Sequence, residues 1–388
     1  MLKKAILIVF FMLSIVFLRW DAERRFFDRL QINAYCMNTD QLAKPRGRSI
    51  LRNFHARLSV RNLRERALRI LVLHRGGVGE REAAARIKIA SRHLGWECYI
   101  CSLRPTTWEK ILFVHPLDKA IRAIQPDFTI NFQTTEKRAP GINFVSLSSG
   151  VQTYAKESFD WKKYASFDGF LPTFQEIGIF KEKIESLGKS FRGIRWFFTC
   201  PSTAYVPLRP KKLFYCGSNW DESRKGKKTK SLFTLLDRTG ELAIYGPPKK
   251  WKHTPRSYGG FLPFDGISII KKMQECGIVL VLHSDIHLQG NAPTGRIFEA
   301  AAAGCAIISD RHPFIVQEFG DAVLYIDQEG SSEAIFQAIA THMAWIRSHP
   351  EKAQEMAFRC HQIFMEKFTL EKQLCDLKEI CENIQHPS

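Results

Sequence analysis

The sequence alternates short runs of apolar residues with longer stretches in which apolar residues recur every three or four positions. A compact apolar run between turn residues predicts a buried β-strand, and the longer period predicts a helix. The first half of the chain has such strand-like runs at 70–74, 98–103, 128–132, 143–147 and 169–171. The second half has them at 211–216, 242–245, 277–282, 305–309 and 322–326. Because helical stretches separate the runs, the pattern predicts an α/β protein with parallel sheets.

The first predicted strand leads into a glycine-rich loop that contains Gly76, Gly77 and Gly79. A helix predicted at 81–94 and a second strand complete a βαβ unit. Glycine lets the backbone approach a ligand closely, and a helix start offers unpaired N–H groups to a phosphate. The spacing is not that of the dinucleotide-binding fingerprint, and a tight turn without a ligand is the alternative.

A second glycine, Gly217, follows the strand predicted at 211–216. The stretch at 221–230 is strongly basic and contains Arg224 and four lysines. Cations after a glycine turn suit a diphosphate, because charge-assisted contacts to phosphate oxygens are strong. A solvated basic loop is the alternative interpretation.

The stretch at 291–310 combines a polar loop, a short helix and a buried strand. Thr294 and Gly295 close the loop, and Arg296 opens a helix predicted at 296–303. The unpaired N–H groups of this helix start carry partial positive charge and can hold a phosphate. Glu299 lies one turn further on, where a carboxylate can accept hydrogen bonds from sugar hydroxyls. An ordinary packing unit with a solvated glutamate is the alternative.

The chain has 388 residues and a net charge of +18. The length suits two domains, and the charge suits an anionic substrate, an anionic membrane surface or nucleic acid. Nucleic acid ranks last, because no zinc-finger spacing or RNA-binding aromatic motif is present. The ten scattered cysteines favour a reducing compartment. His283 and His287 lack a further cluster of metal-ligating residues beside them, so no metal site is predicted.

The amino terminus has an apolar run at 5–18, preceded by two lysines and followed by Trp20. The stretch at 19–69 then carries 13 Lys and Arg residues against 5 Asp and Glu residues. Positive charge beside an apolar segment stays on the cytoplasmic side and attracts anionic lipid. We therefore predict a membrane anchor at 1–20 and a basic linker at 21–68, with the body on the cytoplasmic face. A buried first helix is the alternative.

The stretch at 291–310 resembles the donor-binding signature of the group 1 glycosyltransferases, and is most similar to their spore-maturation-type branch. The first glycine loop resembles the loop that opens the amino-terminal domain in the same family. Asn291 stands where the family pattern has a glutamate. The residues that carry the signature are Gly295, Glu299, Ala302, Gly304 and the pair Ser309–Asp310.

The resemblance implies a GT-B fold, in which two Rossmann-like, doubly wound domains face each other across a cleft. The implied domains are 69–208 on the acceptor side and 209–365 on the nucleotide-sugar side. A carboxyl-terminal helix at 366–388 crosses back onto the first domain.

The activity that the resemblance implies is retaining, metal-independent sugar transfer in cell-envelope or surface glycan synthesis. The donor substrate is a nucleotide-diphosphate sugar, with no other cofactor, and the acceptor is a glycan or a lipid-linked glycan. Glu299, Arg224 and Asn291 are the candidate catalytic residues, with Glu299 on the ribose and Arg224 on the diphosphate. The alternatives are a GT-B sugar-nucleotide epimerase and an inactive membrane-associated scaffold, which Asn291 favours. The candidate donor-binding residues are Gly76, Gly77, Gly79, Gly217, Thr294, Gly295, Arg296 and Glu299.

Overall fold

The computed structural model describes residues 67–103, 124–132, 139–148, 159–175, 177–217 and 226–385. The predicted anchor, nearly all of the basic linker, and Arg224 lie outside these ranges. Among the described helices, none combines the length and the apolar character needed to cross a membrane.

The described residues of the first half form a five-stranded parallel sheet with the order β2-β1-β3-β4-β5. Its central strands are excluded from solvent, as expected for a parallel sheet that is covered on both faces. The strands are β1 Arg69–His74, β2 Glu97–Ser102, β3 Phe128–Asn131, β4 Ile142–Leu147 and β5 Gly169–Pro172.

The second half forms another five-stranded parallel sheet, with the order β10-β9-β8-β6-β7. Read in chain order, the two sheets have the same topology: the second strand forms one edge, the first strand lies next to it, and the remaining three strands follow on the other side. The strands are β6 Lys212–Cys216, β7 Leu242–Tyr245, β8 Gly277–Val281, β9 Ala306–Asp310 and β10 Leu324–Ile326. All ten strands of the described residues coincide with predicted apolar runs, and the predicted α/β, GT-B-like fold is confirmed.

The helices cover the faces of the sheets and extend the chain beyond the second sheet. They are α1 Val78–His93, α2 Trp161–Tyr164, α3 Gly178–Ser186, α4 Lys227–Arg238, α5 Ser268–Cys276, α6 Asp285–Gln289, α7 Gly295–Ala302, α8 Pro313–Phe319, α9 Ser332–Ser348, α10 Pro350–Lys367 and α11 Leu370–Gln385.

The last helix, α11, packs on the first domain although it follows the second in sequence. Its residues Leu370, Leu374, Leu377 and Cys381 belong to the same buried core as Ile70 and other residues of the first sheet. This confirms the predicted helix that crosses back. The chain passes from the first sheet to the second between Pro172 and Lys212, and the predicted boundary at 208 and 209 falls in this connection.

The basic stretch at 221–230 leads into a helix. Helix α4 begins at Lys227, so three lysines of this stretch belong to its first turn. The amphipathic pattern of Leu232, Phe233 and Leu236 anchors the helix in the core.

Candidate functional site

The strand order of each sheet reverses beside the strand that comes first in the chain, and ligands bind at such a point in open α/β sheets, outside the carboxyl ends of the strands. In the second sheet the reversal lies between β6 and β8. Gly217 directly follows β6, and His283 follows β8. Helix α7 begins shortly after β8. The second glycine loop and the Glu299 helix, predicted separately, are therefore parts of one region.

Helix α7 begins with an uncapped end. Thr294 has an extended backbone, with φ −68° and ψ 145°, and its side chain makes no capping hydrogen bond. The next residue, Gly295, lies so close to the connection between the domains that a Cβ there would be 2.5 Å from the Phe198 carbonyl oxygen. Glycine is therefore required by the packing of the domains. Residues 294–296 are partly exposed, so this positive helix end remains accessible.

Arg296 joins α7 to the end of β6. Its Nε donates a hydrogen bond to the Cys216 carbonyl oxygen at 3.2 Å, and its Nη1 pairs with Glu299 Oε2. The side chain keeps 30% of its surface exposed. Its Nη2 also lies 3.7 Å from Cys216 Sγ. A guanidinium held by Cys216 and Glu299 and still partly open to solvent can offer its remaining N–H groups to an anion.

Glu299 is the most buried acid of this region, with 2% of its side chain exposed. Its Oε1 lies 2.5 Å from Arg86 Nη2, and its Oε2 pairs with Arg296. Arg86 comes from α1 of the first domain, so the pair spans the two domains. Because both carboxylate oxygens already have arginine partners, this arrangement differs from the predicted contact between Glu299 and ribose hydroxyls.

The charge state of the cluster follows from these contacts. Burial raises the pKa of Glu299, but Arg296 and Arg86 outweigh it and hold the pKa below its ordinary value. Burial also raises the pKa of Glu82, which Arg86 partly offsets by its ion pair at 2.8 Å. Burial lowers the pKa of Arg296, but the negative charge of Glu299 more than offsets this and raises it. The pairing therefore keeps Glu299 ionised at neutral pH.

Asn291 has a left-handed backbone, with φ +44°. Its Nδ2 donates to Gln175 Oε1 of the first domain, its Oδ1 accepts from the Phe314 N–H at 3.2 Å, and its carbonyl oxygen accepts from Arg195. Asparagine tolerates this conformation far better than most residues do. Asparagine at position 291 therefore has a structural role: it adopts the left-handed backbone conformation and connects the two domains by hydrogen bonds.

The first glycine loop uses its amides internally. The Gly76 N–H donates to His74 Nδ1 at 2.9 Å, and the Glu80 carboxylate accepts from the N–H groups of Arg75 and Gly77 at 2.8 and 3.2 Å. Gly76 has φ +87°, which requires glycine. These amides therefore have protein acceptors, in contrast to the predicted phosphate contact. A Cβ at Gly79 would have no neighbouring atom within 4 Å, so no close contact requires glycine at this position.

Gly217 lies in a tightly packed turn. A Cβ there would come 2.9 Å from the Tyr215 ring, and the Gly217 carbonyl oxygen accepts from Trp251 Nε1 at 2.9 Å. The neighbouring Gly246, with φ +144°, leaves only 2.4 Å between an added Cβ and that same oxygen. The backbone at Gly217 is thus fixed by its own packing.

A buried histidine–aspartate pair lies at the ends of β8 and β9, and the sequence interpretation missed it. His283 Nδ1 lies 2.6 Å from Asp310 Oδ1, and the His283 N–H donates to Asp310 Oδ2 at 2.9 Å. His312 packs against His283 with 4.2 Å between the ring centroids. The sequence did contain a signal for this pair, because His283 and Asp310 each directly follow a predicted apolar run. Within the described ranges no group of three or more His, Cys, Asp or Glu residues is placed to hold a metal ion.

The paired parallel sheets, the connection between them and the crossing helix α11 define a GT-B-type α/β protein. Residues 224–379 match the family model described as glycosyl transferase-like, which covers about two fifths of the chain. A search of curated protein sequences gives no match. The chain is therefore similar to glycosyltransferases in this stretch of sequence and in its fold.

Three solved structures are similar to this chain at low sequence identity. A sucrose-phosphate synthase from Thermosynechococcus elongatus is 12% identical, with a TM-score of 0.52 over 83% of this chain and 100% of that chain. A glycosyltransferase from Rickettsia africae is 10% identical, with a TM-score of 0.49 over 84% of this chain and 100% of its own. HepE from Anabaena, solved in complex with UDP, is 11% identical, with a TM-score of 0.48 over 81% of this chain and 100% of its own.

Proposed function

We propose that the protein transfers a sugar from a nucleoside-diphosphate sugar to an acceptor, with the donor diphosphate at the carboxyl edge of the second sheet. The observation that carries this proposal is the position of the Arg296 guanidinium. It is partly exposed, it is held by the Cys216 carbonyl and the Glu299 carboxylate, and it lies where the sheet order reverses. Arg296 and Glu299 both lie inside the glycosyl transferase-like stretch.

The chemistry follows from the charge that develops as the sugar leaves. When the bond between the anomeric carbon and the phosphate oxygen breaks, negative charge accumulates on the diphosphate. Arg296, the N–H groups at the start of α7 and the basic residues after Gly217 stabilise that charge. Removing one preorganised donor of this kind typically costs about 10²–10³ in rate. These groups can do this work without a metal, and the resemblance to group 1 enzymes supports retention of configuration.

The acceptor belongs to the first domain in this proposal. Val78, the first residue of α1, is 49% exposed, and an apolar residue there suits a ligand with an apolar part. The charge of +18 and the apolar run at 5–18 support a lipid-linked or anionic acceptor at the cytoplasmic face of the membrane. Membrane partitioning of the full chain and of a chain without residues 1–20 tests this, and equal partitioning contradicts it.

Thermal unfolding in the presence of nucleoside diphosphates and their sugars tests the donor site. A ligand at a hundred-fold excess over its Kd stabilises the native state by about 2.7 kcal/mol, which a thermal-shift assay resolves. The panel contains UDP, GDP, ADP and dTDP with their glucose and N-acetylglucosamine derivatives where these exist. We expect one nucleotide class to stabilise the protein and the others to have little effect. No stabilisation by any of them contradicts the proposal.

Donor turnover separates the transferase from its two alternatives. Wild type and Glu299→Ala are compared for hydrolysis of the stabilising donor, and products are resolved by chromatography. Faster turnover in wild type supports an enzyme, whereas equal, near-zero turnover in both supports the inactive scaffold. Release of the free sugar supports transfer to water, and an epimerised nucleotide sugar supports the epimerase.

A further inference from the structure

A row of alternating charges connects the first domain to the end of β6. It begins with Glu82 and Arg86 on α1, continues through Glu299 and Arg296 on α7, and ends at the Cys216 carbonyl oxygen. Each member contacts the next by an ion pair or a hydrogen bond. The row contains two positive and two negative side chains, so its formal charges balance.

The two middle members of the row are nearly excluded from solvent. The side chain of Arg86 is 4% exposed and that of Glu299 is 2% exposed. Burying two charges is favourable only where the geometry is good and further hydrogen bonds satisfy both groups. Arg86 contacts Glu82 and Glu299 with Nη2 and the Thr199 carbonyl oxygen with Nη1, at 3.3 Å, so both terminal nitrogens have partners. Its buried Nε has no hydrogen-bond partner among the described residues.

The Arg86–Glu299 contact is part of a closely packed interface between α1 of the first domain and the second domain. The Gly266 N–H of the second domain donates to Glu82 at 3.3 Å. A Cβ at Gly266, where φ is +87°, would come 3.2 Å from Arg86 Cγ. One turn earlier on α1, the Arg81 guanidinium lies 5.4 Å from the centre of the Phe264 ring. Helix α1 therefore meets the second domain at Arg81, at Glu82 and at Arg86 itself.

We propose that Arg86 couples the approach of the two domains to the diphosphate site. Arg86 is a positioning residue: it occupies one oxygen of Glu299, so that only the other oxygen pairs with Arg296. This inference rests on the proposed function, because it assigns Arg296 to the donor diphosphate. It also assigns Glu299 to holding Arg296 rather than to the ribose.

The effect of separating the domains follows from the chemistry of the carboxylate. Without Arg86, both oxygens of Glu299 are available to the Arg296 fork, and a two-point pair of this kind is the strong form of the interaction. The remaining row also carries one net negative charge. The tighter Glu299–Arg296 pair and the added negative charge both weaken the electrostatic attraction between Arg296 and a phosphate. Arg86 therefore affects phosphate binding without contacting the ligand.

Calorimetric titration of the full chain with inorganic pyrophosphate tests the coupling without assuming a nucleotide. Coupling between two sites is typically 5–150-fold, so Arg86→Met is expected to weaken pyrophosphate binding about tenfold. Arg86→Lys keeps the charge but not the planar fork, so it is expected to lose less. Arg347→Met is the matched control, because Arg347 forms an exposed ion pair with Glu241 in the same protein. That variant is expected to bind like wild type.

A double-mutant cycle separates coupling through Arg296 from general damage. In the Arg296→Met background, Arg86→Met is expected to weaken binding no further, because the group through which it acts is gone. Independent, additive losses overturn the proposal, as does unchanged binding by Arg86→Met alone. If Arg86→Met does not fold, as the urea unfolding midpoint reveals, Arg86→Lys takes its place in the cycle. If wild type binds neither pyrophosphate nor any nucleoside diphosphate, the proposed function falls and the coupling falls with it.

Discussion

Replacing Glu299 by glutamine tests whether the interdomain charge cluster is a real source of stability. The substitution preserves the size of the side chain but removes the negative charge that Arg86 and Arg296 share. Leaving a buried charge without its partner costs about 3–5 kcal/mol. For a domain of this size 1 kcal/mol corresponds to about 2–4 °C in Tm, so Glu299→Gln is expected to lower Tm by about 10 °C.

The assay is differential scanning calorimetry, and the structure provides a matched control. Glu241 forms an exposed pair with Arg347 at 2.7 Å, and exposed pairs contribute about 0–1 kcal/mol. Glu241→Gln is therefore expected to shift Tm by about 3 °C or less. If Glu299→Gln shifts Tm no more than Glu241→Gln does, the reasoning about the buried cluster is refuted.

The pH dependence gives a second check on the same variant. Burial raises the pKa of Glu299 and the two arginines lower it further than burial raises it, so the folded pKa lies below the ordinary 4.5. The unfolded chain therefore takes up this proton first as the pH falls. The stability from the pairs is complete above the unfolded pKa and is lost as the pH falls through the folded pKa. The difference between wild type and Glu299→Gln should narrow below pH 4.5.

Three further substitutions test other parts of the account. Gly295→Ala places a Cβ 2.5 Å from the Phe198 carbonyl oxygen, so it should cost about 1–3 kcal/mol in urea unfolding; a loss below 0.5 kcal/mol argues against that packing. Asn291→Glu restores the family glutamate at a position with φ +44°, and should cost about 1–2 kcal/mol, whereas Asn291→Gly should be tolerated better. Leu377→Ala removes a fully buried side chain from α11 and should destabilise the first domain by about 2–5 kcal/mol; hydrogen exchange in β1 should accelerate, and unchanged protection there contradicts the crossing helix.

The strands and most helices could be predicted because the signals that define them are local. The buried strands are contiguous apolar runs between turn residues, and α10 begins at Pro350 as its proline at the first helical position indicates. The short helix α6 was missed, since its five residues offer less than two turns of periodicity. An element is therefore predictable when it is long enough for its own sequence to show the apolar pattern or the end signals.

The candidate site was predicted in its location but not in its contacts. Glycine loops and a helix start point to the carboxyl edge of a sheet from sequence alone, and the structure brings Gly217 and Arg296 together there. One partner of Glu299, however, is Arg86, which lies 213 residues earlier in the chain. The one available signal was an arginine on the face of α1 that also carries Ala90, where the helical period calls for an apolar residue. Likewise, the left-handed backbone of Asn291 depends on contacts with the first domain.

The most direct measurement of the central claim is calorimetric titration of the stabilising nucleoside diphosphate into wild type, Arg296→Met and Arg347→Met. If Arg296 holds the donor diphosphate, loss of a charge-assisted contact of about 1.5–3 kcal/mol should weaken binding roughly ten- to hundred-fold in Arg296→Met. Arg347→Met should bind as wild type does. Equal affinity in all three proteins would show that the nucleotide is held elsewhere.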